Sequence, residues 1–165
     1  METTSDEMQE WLKSGDSREY FELVAFPTVG ADPSRLRDCV ACATWLKKWL
    51  KGIGAEAELV LPSARGVPEE KTAALSVPVV FAELKGSEGA PTLLFYGHYD
   101  VQPADPLELW ETPPFEPTPR GYRVYARGAQ DDKGQFFAFL CGLREFWREA
   151  DAEGRMRPNV KILLE

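Results

Sequence analysis

Two polar segments of the chain carry residues that could bind a metal ion. They span residues 96–100 (YGHYD) and 127–134 (RGAQDDKG), and each follows an apolar run that is typical of a strand. Zinc in catalytic sites is held by imidazole nitrogen and carboxylate oxygen, with one position left open. His98 offers the imidazole, and Asp131 or Asp132 can bring a carboxylate from the end of a neighbouring strand. The two segments therefore predict a metal site at the carboxyl ends of strands, where ligands gather in open α/β sheets.

Asp100 stands two residues after His98, which is too close along an extended chain for both to bind one metal easily. Its carboxylate can instead accept a hydrogen bond from the second imidazole nitrogen, which fixes the tautomer and raises the basicity of the ligand. Gly128 and Gly134 flank the acidic pair and permit close backbone turns around it. Asp100 is therefore expected to act through His98.

Simpler interpretations of the same residues remain open. A single histidine is usually a surface residue or a satisfied polar residue. An Asp-Asp-Lys-Gly sequence alone is usually a turn and a helix start, with an aspartate as the cap. Trp110 and Phe115, in the Pro-rich segment 103–119, would more often anchor a loop than form a platform for substrate. No G-x-S-x-G, P-loop or paired C-x-x-C motif competes for the chemistry.

The composition argues against several classes of function. There are 27 acidic and 19 basic residues, so the net charge is −8, whereas nucleic acids and anionic membranes are bound through basic surfaces. No apolar run approaches the roughly 20 residues needed to span a bilayer, and the acidic N-terminus lacks the apolar region of a secretory signal. The three cysteines form no evident disulfide framework, so we expect a cytoplasmic location.

Cys39 and Cys42 form a C-x-x-C sequence. A redox C-x-x-C opens a helix directly after a strand, because the helix N-terminus lowers the pKa of the thiol. This pair lies instead inside an amphipathic helix pattern. Core packing of small residues is the favoured interpretation, with redox activity or zinc binding as the alternative.

The remaining pattern alternates helices and strands, as in an α/β fold. Helical periodicity predicts a helical region over 7–24, broken near Gly15, and a second helix that starts at Asp32 as N-cap. A Phe-rich helix follows the Asp-Asp-Lys-Gly turn and ends at Gly154. Strands are predicted over 57–61, 77–84, 92–96, 122–126 and 160–164. Loops are predicted over 62–72 and 103–119.

The two polar segments, together with residues 109–117 (LWETPPFEP), closely resemble the M20 family of metallopeptidases. The nearest match is the dipeptidase branch, with its carnosine dipeptidase-like enzymes. Residues 26–33 (FPTVGADP) are similar to the family's N-terminal stretch. The resemblance covers almost the whole chain. It implies an α/β fold in which residues 1–165 form the N-terminal portion of a zinc-exopeptidase-like catalytic domain, with a mixed sheet flanked by helices.

The resemblance implies a hydrolase that uses two zinc ions, with Mn2+ or Co2+ as alternatives, to cut a small peptide substrate at a dipeptide or related amide bond. His98 would bind one metal, Asp131 would bridge both, and Asp100 would be the catalytic residue that holds His98. Asp132 would follow Asp131 across a cis peptide bond. A water acidified by both ions would be the nucleophile, and a carboxylate would pass its proton to the leaving amine.

In the family, the strand matching 160–164 leads into a Glu-Glu motif that supplies the general base and a metal ligand. Glu165 matches the glutamate just before that motif. The general base, the remaining ligands and a lid or dimerisation domain are therefore expected beyond residue 165, and the complete protein would form a homodimer. We expect this chain to be an incomplete, inactive piece of a peptidase. A deacylase or carboxypeptidase of the same family, and a non-catalytic chain that binds a partner or a metal, remain alternatives.

Overall fold

The computed structural model of the chain describes residues 5–61 and 77–165, so the predicted loop over 62–72 lies outside the described residues. Within the described residues there are four α-helices: α1 (Ser5–Trp11), α2 (Gly15–Ala25), α3 (Leu36–Gly52) and α4 (Lys133–Glu153). The same residues contain six strands: β1 (Glu56–Val60), β2 (Val79–Leu84), β3 (Thr92–Gly97), β4 (Thr118–Arg120), β5 (Arg123–Tyr125) and β6 (Asn159–Leu164). None of these helices is long and apolar enough to cross a membrane.

Local capping residues account for the helix boundaries. Ser14 caps α2, because its hydroxyl accepts a hydrogen bond from the Ser17 amide at 3.1 Å, and this cap explains the predicted break between the first two helices. Asp32 caps the 3-10 turn that leads into α3, where its carboxylate accepts from the Ser34 amide at 2.9 Å. Gly154 adopts the left-handed conformation and ends α4 as predicted.

Four strands form one mixed sheet in the order β1-β2-β6-β3. β1 and β6 both run antiparallel to β2, whereas β3 and β6 are parallel. A parallel pair needs a long crossover connection, and the chain between β3 and β6 contains α4. The predicted mixed sheet with helices is therefore confirmed. β2 begins after Pro78, since proline cannot donate a hydrogen bond to the ladder.

A second sheet is the antiparallel ribbon of β4 and β5. The sequence predicts β5 but assigns residues 103–119 to a loop, and β4 begins inside that range at Thr118. The sequence analysis does not predict β4 because proline in a sequence argues against a central strand, and β4 contains Pro119. In a two-stranded ribbon both strands are edges, so Pro119 is tolerated opposite Val124.

The core lies between the helices and one face of the main sheet. Buried residues alternate along β2 and β6, so they point to the same face. Phe137 of α4 packs against Tyr20 and Trp49, with ring centroids 6.2 Å and 5.5 Å away. Phe139 stacks on Phe95 of β3, with ring centroids 3.7 Å apart. These contacts fix α4 over β3, the strand that His98 follows.

Cys39 and Cys42 are fully buried in α3 and form no disulfide. Burial raises the pKa of the Cys42 thiol to about 12, and it also raises the pKa of Cys39. Redox and metal-binding cysteines act as thiolates. Their full burial in the core cluster supports core packing for this pair.

The opposite face of the main sheet carries exposed apolar side chains on β3. Leu94 is 71% exposed and Tyr96 is 56% exposed. Among the described strands, β3 is paired only with β6 and forms one edge of the sheet. An exposed apolar edge strand favours pairing between molecules.

Leu94→Lys is expected to weaken self-association of the purified chain by about tenfold, because a charge on an edge strand opposes edge-to-edge pairing. Leu109→Lys is the matched control, since Leu109 is 77% exposed but lies in a 3-10 helix rather than in a strand. Sedimentation velocity over a range of concentrations measures the change. Equal effects of the two substitutions would contradict a specific role of the β3 edge.

Candidate metal centre

His98 is the first residue after β3. Its Nδ1 lies 2.9 Å from Asp100 Oδ1, and its side chain is 34% exposed. With a carboxylate at Nδ1, the neutral ring carries its proton there and presents an unprotonated Nε2. The structure thus places Asp100 where the sequence predicts it, beside the ring nitrogen that faces away from Asp131.

Asp131 lies in the turn that precedes α4. Its Oδ1 is 3.2 Å from His98 Nε2, and its side chain is 80% exposed. The peptide bond between Asp131 and Asp132 is cis, as the resemblance implies. The structure therefore brings together the imidazole and the carboxylate that the sequence analysis nominates as metal ligands.

Asp132 occupies the cap position of α4, but its side chain does not cap the helix. Its Oδ2 accepts a hydrogen bond from the His98 backbone N–H at 3.1 Å instead. The simple interpretation of this aspartate as a helix cap is therefore wrong. Gly97 is required for the approach, because a Cβ there would lie 2.9 Å from Asp132 Oδ2. The Asp132 carboxylate therefore links the second polar segment, residues 127–134, to the backbone of the first polar segment at His98.

The second segment reaches the site by a route that differs from the prediction. The sequence analysis expects a carboxylate from the end of a neighbouring strand, but the described neighbour of β3 in the main sheet is β6. β5 belongs to the separate ribbon, and residues 126–132 carry the chain from its end to His98. The rule on carboxyl ends of strands therefore locates His98 but not Asp131.

The electrostatics of His98 reflect two opposing effects. Burial lowers the pKa of the imidazole, but the hydrogen bonds and negative charge of Asp100 outweigh burial and leave the pKa raised above its ordinary value. Asp132 adds to the negative potential. Because metal binding requires the neutral ring, protons compete with a metal at Nε2, and acid is expected to weaken binding.

Asp100→Asn is expected to weaken Zn2+ binding by about 10- to 100-fold, because the partner that orients a ligating histidine is lost. It should also lower the pKa of His98, since Asp100 raises that pKa in the native chain. The chain has one histidine, so a single imidazole signal in NMR spectra reports both quantities. Asp151→Asn, near the other end of α4, is the control. Native values of both quantities in Asp100→Asn would contradict the assignment.

The two donor atoms fit a divalent metal ion. Two ligands at about 2.0–2.1 Å from a tetrahedral ion lie about 3.4 Å apart. The 3.2 Å between His98 Nε2 and Asp131 Oδ1 is close to that value. In residues 5–61 and 77–165, no group of three or more His, Cys, Asp or Glu side chains could hold a metal ion. The described residues therefore place two possible ligand atoms, His98 Nε2 and Asp131 Oδ1, at a separation that suits one divalent ion.

The Pro-rich segment 103–119, which lies between the two polar segments in the sequence, is anchored by one of its own side chains. Trp110 Nε1 donates to the Ala104 carbonyl at 2.8 Å, and the Arg127 guanidinium lies 5.3 Å from the centroid of the Trp110 ring. The Arg127 backbone N–H donates to Pro114 O at 2.7 Å. The anchoring interpretation is confirmed for Trp110, and the segment is tied to the start of the loop that carries Asp131.

Fold and site together define an α/β protein in which an imidazole and a carboxylate meet at one end of a sheet strand. The family model of peptidase family M20/M25/M40 matches residues 94–163, which include both polar segments. Beta-Ala-His dipeptidase of Mus musculus is 32% identical over 116 residues, which cover 70% of this chain and 23% of that protein. Succinyl-diaminopimelate desuccinylase of Delftia acidovorans is 50% identical over 74 residues, which cover 45% of this chain and 18% of that protein.

Solved structures show the same fold. Human carnosine dipeptidase 1 has a TM-score of 0.73 and 24% identity, and the match covers 99% of this chain and 35% of that one. An M20 family metallo-carboxypeptidase from Sulfolobus solfataricus has a TM-score of 0.72 and 28% identity, with 92% and 30% covered. The chain thus spans about a third of these structures and about a fifth of the curated relatives above. Residues 94–163 thus belong to peptidase family M20/M25/M40, and that family implies a divalent metal ion, usually zinc.

Proposed function

We propose that residues 1–165 are the N-terminal part of the catalytic domain of a metal-dependent hydrolase that cleaves dipeptides or related amide bonds. The observation that carries the proposal is the convergence of His98 Nε2 and Asp131 Oδ1 at 3.2 Å, with Asp100 on the other ring nitrogen. The 116-residue similarity to Beta-Ala-His dipeptidase of Mus musculus supports a dipeptide as the substrate. Three free cysteines suit a cytoplasmic location.

Each residue of the centre has a distinct role in this proposal. His98 binds the ion through Nε2, and Asp100 keeps the imidazole proton on Nδ1. Asp131 would hold the ion through Oδ1, and its carboxylate would also hold a second ion if two are bound. Asp132 holds the backbone of His98 through the bond to its N–H. A bound zinc ion supplies a Lewis acid that lowers the pKa of water and polarises the amide carbonyl.

A deacylase of the same family is the second candidate. Succinyl-diaminopimelate desuccinylase of Delftia acidovorans is more similar to this chain, at 50% identity, than the mouse dipeptidase is, although over a shorter segment. Both reactions hydrolyse an amide bond, so the same His98 and Asp131 ligands serve either one. The two candidates differ in the group that lies beyond the scissile bond.

The metal-binding part of the proposal is tested by titrating the purified chain with Zn2+ and following the His98 imidazole by NMR. Zinc is expected to move the Nε2 signal directly. His98→Ala and Asp131→Asn should each weaken binding by at least about tenfold. Isothermal titration calorimetry measures the affinity of both variants, because His98→Ala has no imidazole signal. Glu88→Gln, in an exposed turn, is the control and should bind as the native chain does. Zinc binding that survives in His98→Ala would contradict the assignment.

The hydrolase role is tested with chimaeras that fuse residues 1–165 to the downstream part of the mouse dipeptidase or of the Delftia acidovorans desuccinylase. At least one chimaera is expected to hydrolyse its partner's substrate, and His98→Ala in it should lower the rate by about 100-fold or more, because a metal ligand is lost. A folded, zinc-loaded pair of chimaeras without turnover would favour the non-catalytic alternative.

A further inference from the structure

A buried lysine reaches behind the metal centre. Lys133, the first residue of α4, is fully buried, and its Nζ donates a hydrogen bond to the Phe26 carbonyl at 2.7 Å. None of the ion pairs formed by the described residues includes this ammonium group. Burial of an ammonium group without an ion pair is unfavourable. Core packing by itself therefore does not account for a lysine at this position.

The place of Lys133 in the helix makes the same point. The N-terminus of an α-helix carries partial positive charge, so a cation in the first turn is disfavoured. An apolar residue at position 133 would avoid both the cation in the first turn of the helix and the burial of an ammonium group in the core. Positions that break such local rules are expected at functional sites. The bond to Phe26 is therefore the feature that distinguishes Lys133 from an ordinary core residue.

The Phe26 carbonyl that accepts this hydrogen bond belongs to a turn of residues 26–30. The same turn also bonds to the segment that carries Asp100. Thr28 is fully buried, and its hydroxyl donates to the Tyr99 carbonyl at 2.5 Å. The Thr28 carbonyl accepts a hydrogen bond from the Val101 N–H at 2.8 Å. Tyr99 and Val101 are the two neighbours of Asp100, so the turn grips the backbone on both sides of this carboxylate.

Successive contacts lead from the 26–30 turn through the metal-site residues and back to the same turn. Gly30, at the end of the turn, lies against Asp100, since a Cβ there would be 3.1 Å from Asp100 Oδ2. Asp100 holds the Nδ1 side of His98, and His98 Nε2 faces Asp131. Asp131 stands two residues before Lys133, whose ammonium group returns to the turn. The hydrogen bond from Lys133 to Phe26 therefore links the start of α4 directly to the 26–30 turn, which supports Asp100.

We propose that Lys133 is a positioning residue of the metal centre. By bonding to Phe26 it holds the 26–30 turn against Asp100 and so keeps His98 Nε2 directed at Asp131. The inference rests on the proposed function for its metal readout. A measurement without metal tests the positioning separately.

The test compares Lys133→Met with Lys48→Met, an exposed lysine of α3, in the full 165-residue chain. Methionine keeps the apolar stem of Lys133 and removes the donor. Without metal, we expect the His98 imidazole signals of Lys133→Met to show a smaller share of the tautomer with the proton on Nδ1. With Zn2+ alone as the probe, the dissociation constant should rise by about tenfold. Lys48→Met should match the native chain in both measurements.

A folded Lys133→Met chain with native imidazole signals and native Zn2+ affinity would overturn the proposal. If Lys133→Met does not fold, Lys133→Gln decides, because it keeps a polar head group but is too short to keep the bond to Phe26. Lys133→Gln should shift the imidazole signals in the same direction, and native signals there would also overturn the proposal. If the native chain binds no Zn2+ at His98, the proposed function fails. A changed tautomer in Lys133→Met would still support the positioning role in that case.

Discussion

Residues 1–165 loaded with zinc or manganese are expected to hydrolyse dipeptides at least about 10²–10⁴ times more slowly than a full-length M20 dipeptidase. The proposed centre has His98 and Asp131 as its two ligands in this chain, whereas catalytic zinc usually has three protein ligands. No third ligand joins them within the described residues. Loss of the proton acceptor, which the resemblance places in a Glu-Glu motif after Glu165, accounts for a factor of about 10²–10⁴ by itself.

Steady-state assays of dipeptide cleavage measure this difference. Beta-Ala-His dipeptidase of Mus musculus, assayed in the same buffer with the same metal, provides the reference rate. His98→Ala, purified in the same way, controls for contaminating peptidases. Turnover within tenfold of the reference, retained after repurification and lost in His98→Ala, would show that these residues suffice for catalysis and that the prediction is wrong.

Gly134→Ala is expected to destabilise the chain by about 1–3 kcal/mol or more. A Cβ at Gly134, in the first turn of α4, would lie 2.1 Å from the Ala129 carbonyl oxygen. Because this neighbour is backbone, relief of the clash requires movement of the loop that carries Asp131. Zn2+ affinity should therefore fall together with the midpoint of urea unfolding.

Gly142→Ala is the matched control in the same helix. A Cβ at Gly142 meets no atom within 4 Å. Alanine is favoured over glycine inside a helix, so this substitution should stabilise the chain by about 0.5–1 kcal/mol. Zn2+ affinity should stay at its native value. A Gly134→Ala chain as stable as Gly142→Ala would contradict the steric account of the turn.

Most helices and strands were predictable because local patterns determine them. Periodic burial along α3 follows from apolar residues at steps of three and four, among them Leu46 and Leu50, which are fully buried. The caps Ser14 and Asp32 set helix starts through bonds within three residues. β4 was not predictable, because the ribbon partner that tolerates Pro119 is a property of pairing rather than of the segment.

The site divides in the same way. The sequence by itself determined that His98 follows a strand end and that Asp100 is close enough to hold its second nitrogen, since both depend on neighbours two residues apart. Only the tertiary structure decided that Asp131 arrives from a separate ribbon, and that Asp132 bonds the His98 backbone across 34 positions of sequence. Lys133 reaches Phe26 across 107 positions. Such long-range contacts depend on how α4 packs over β3, and no local preference of the residues involved encodes that packing.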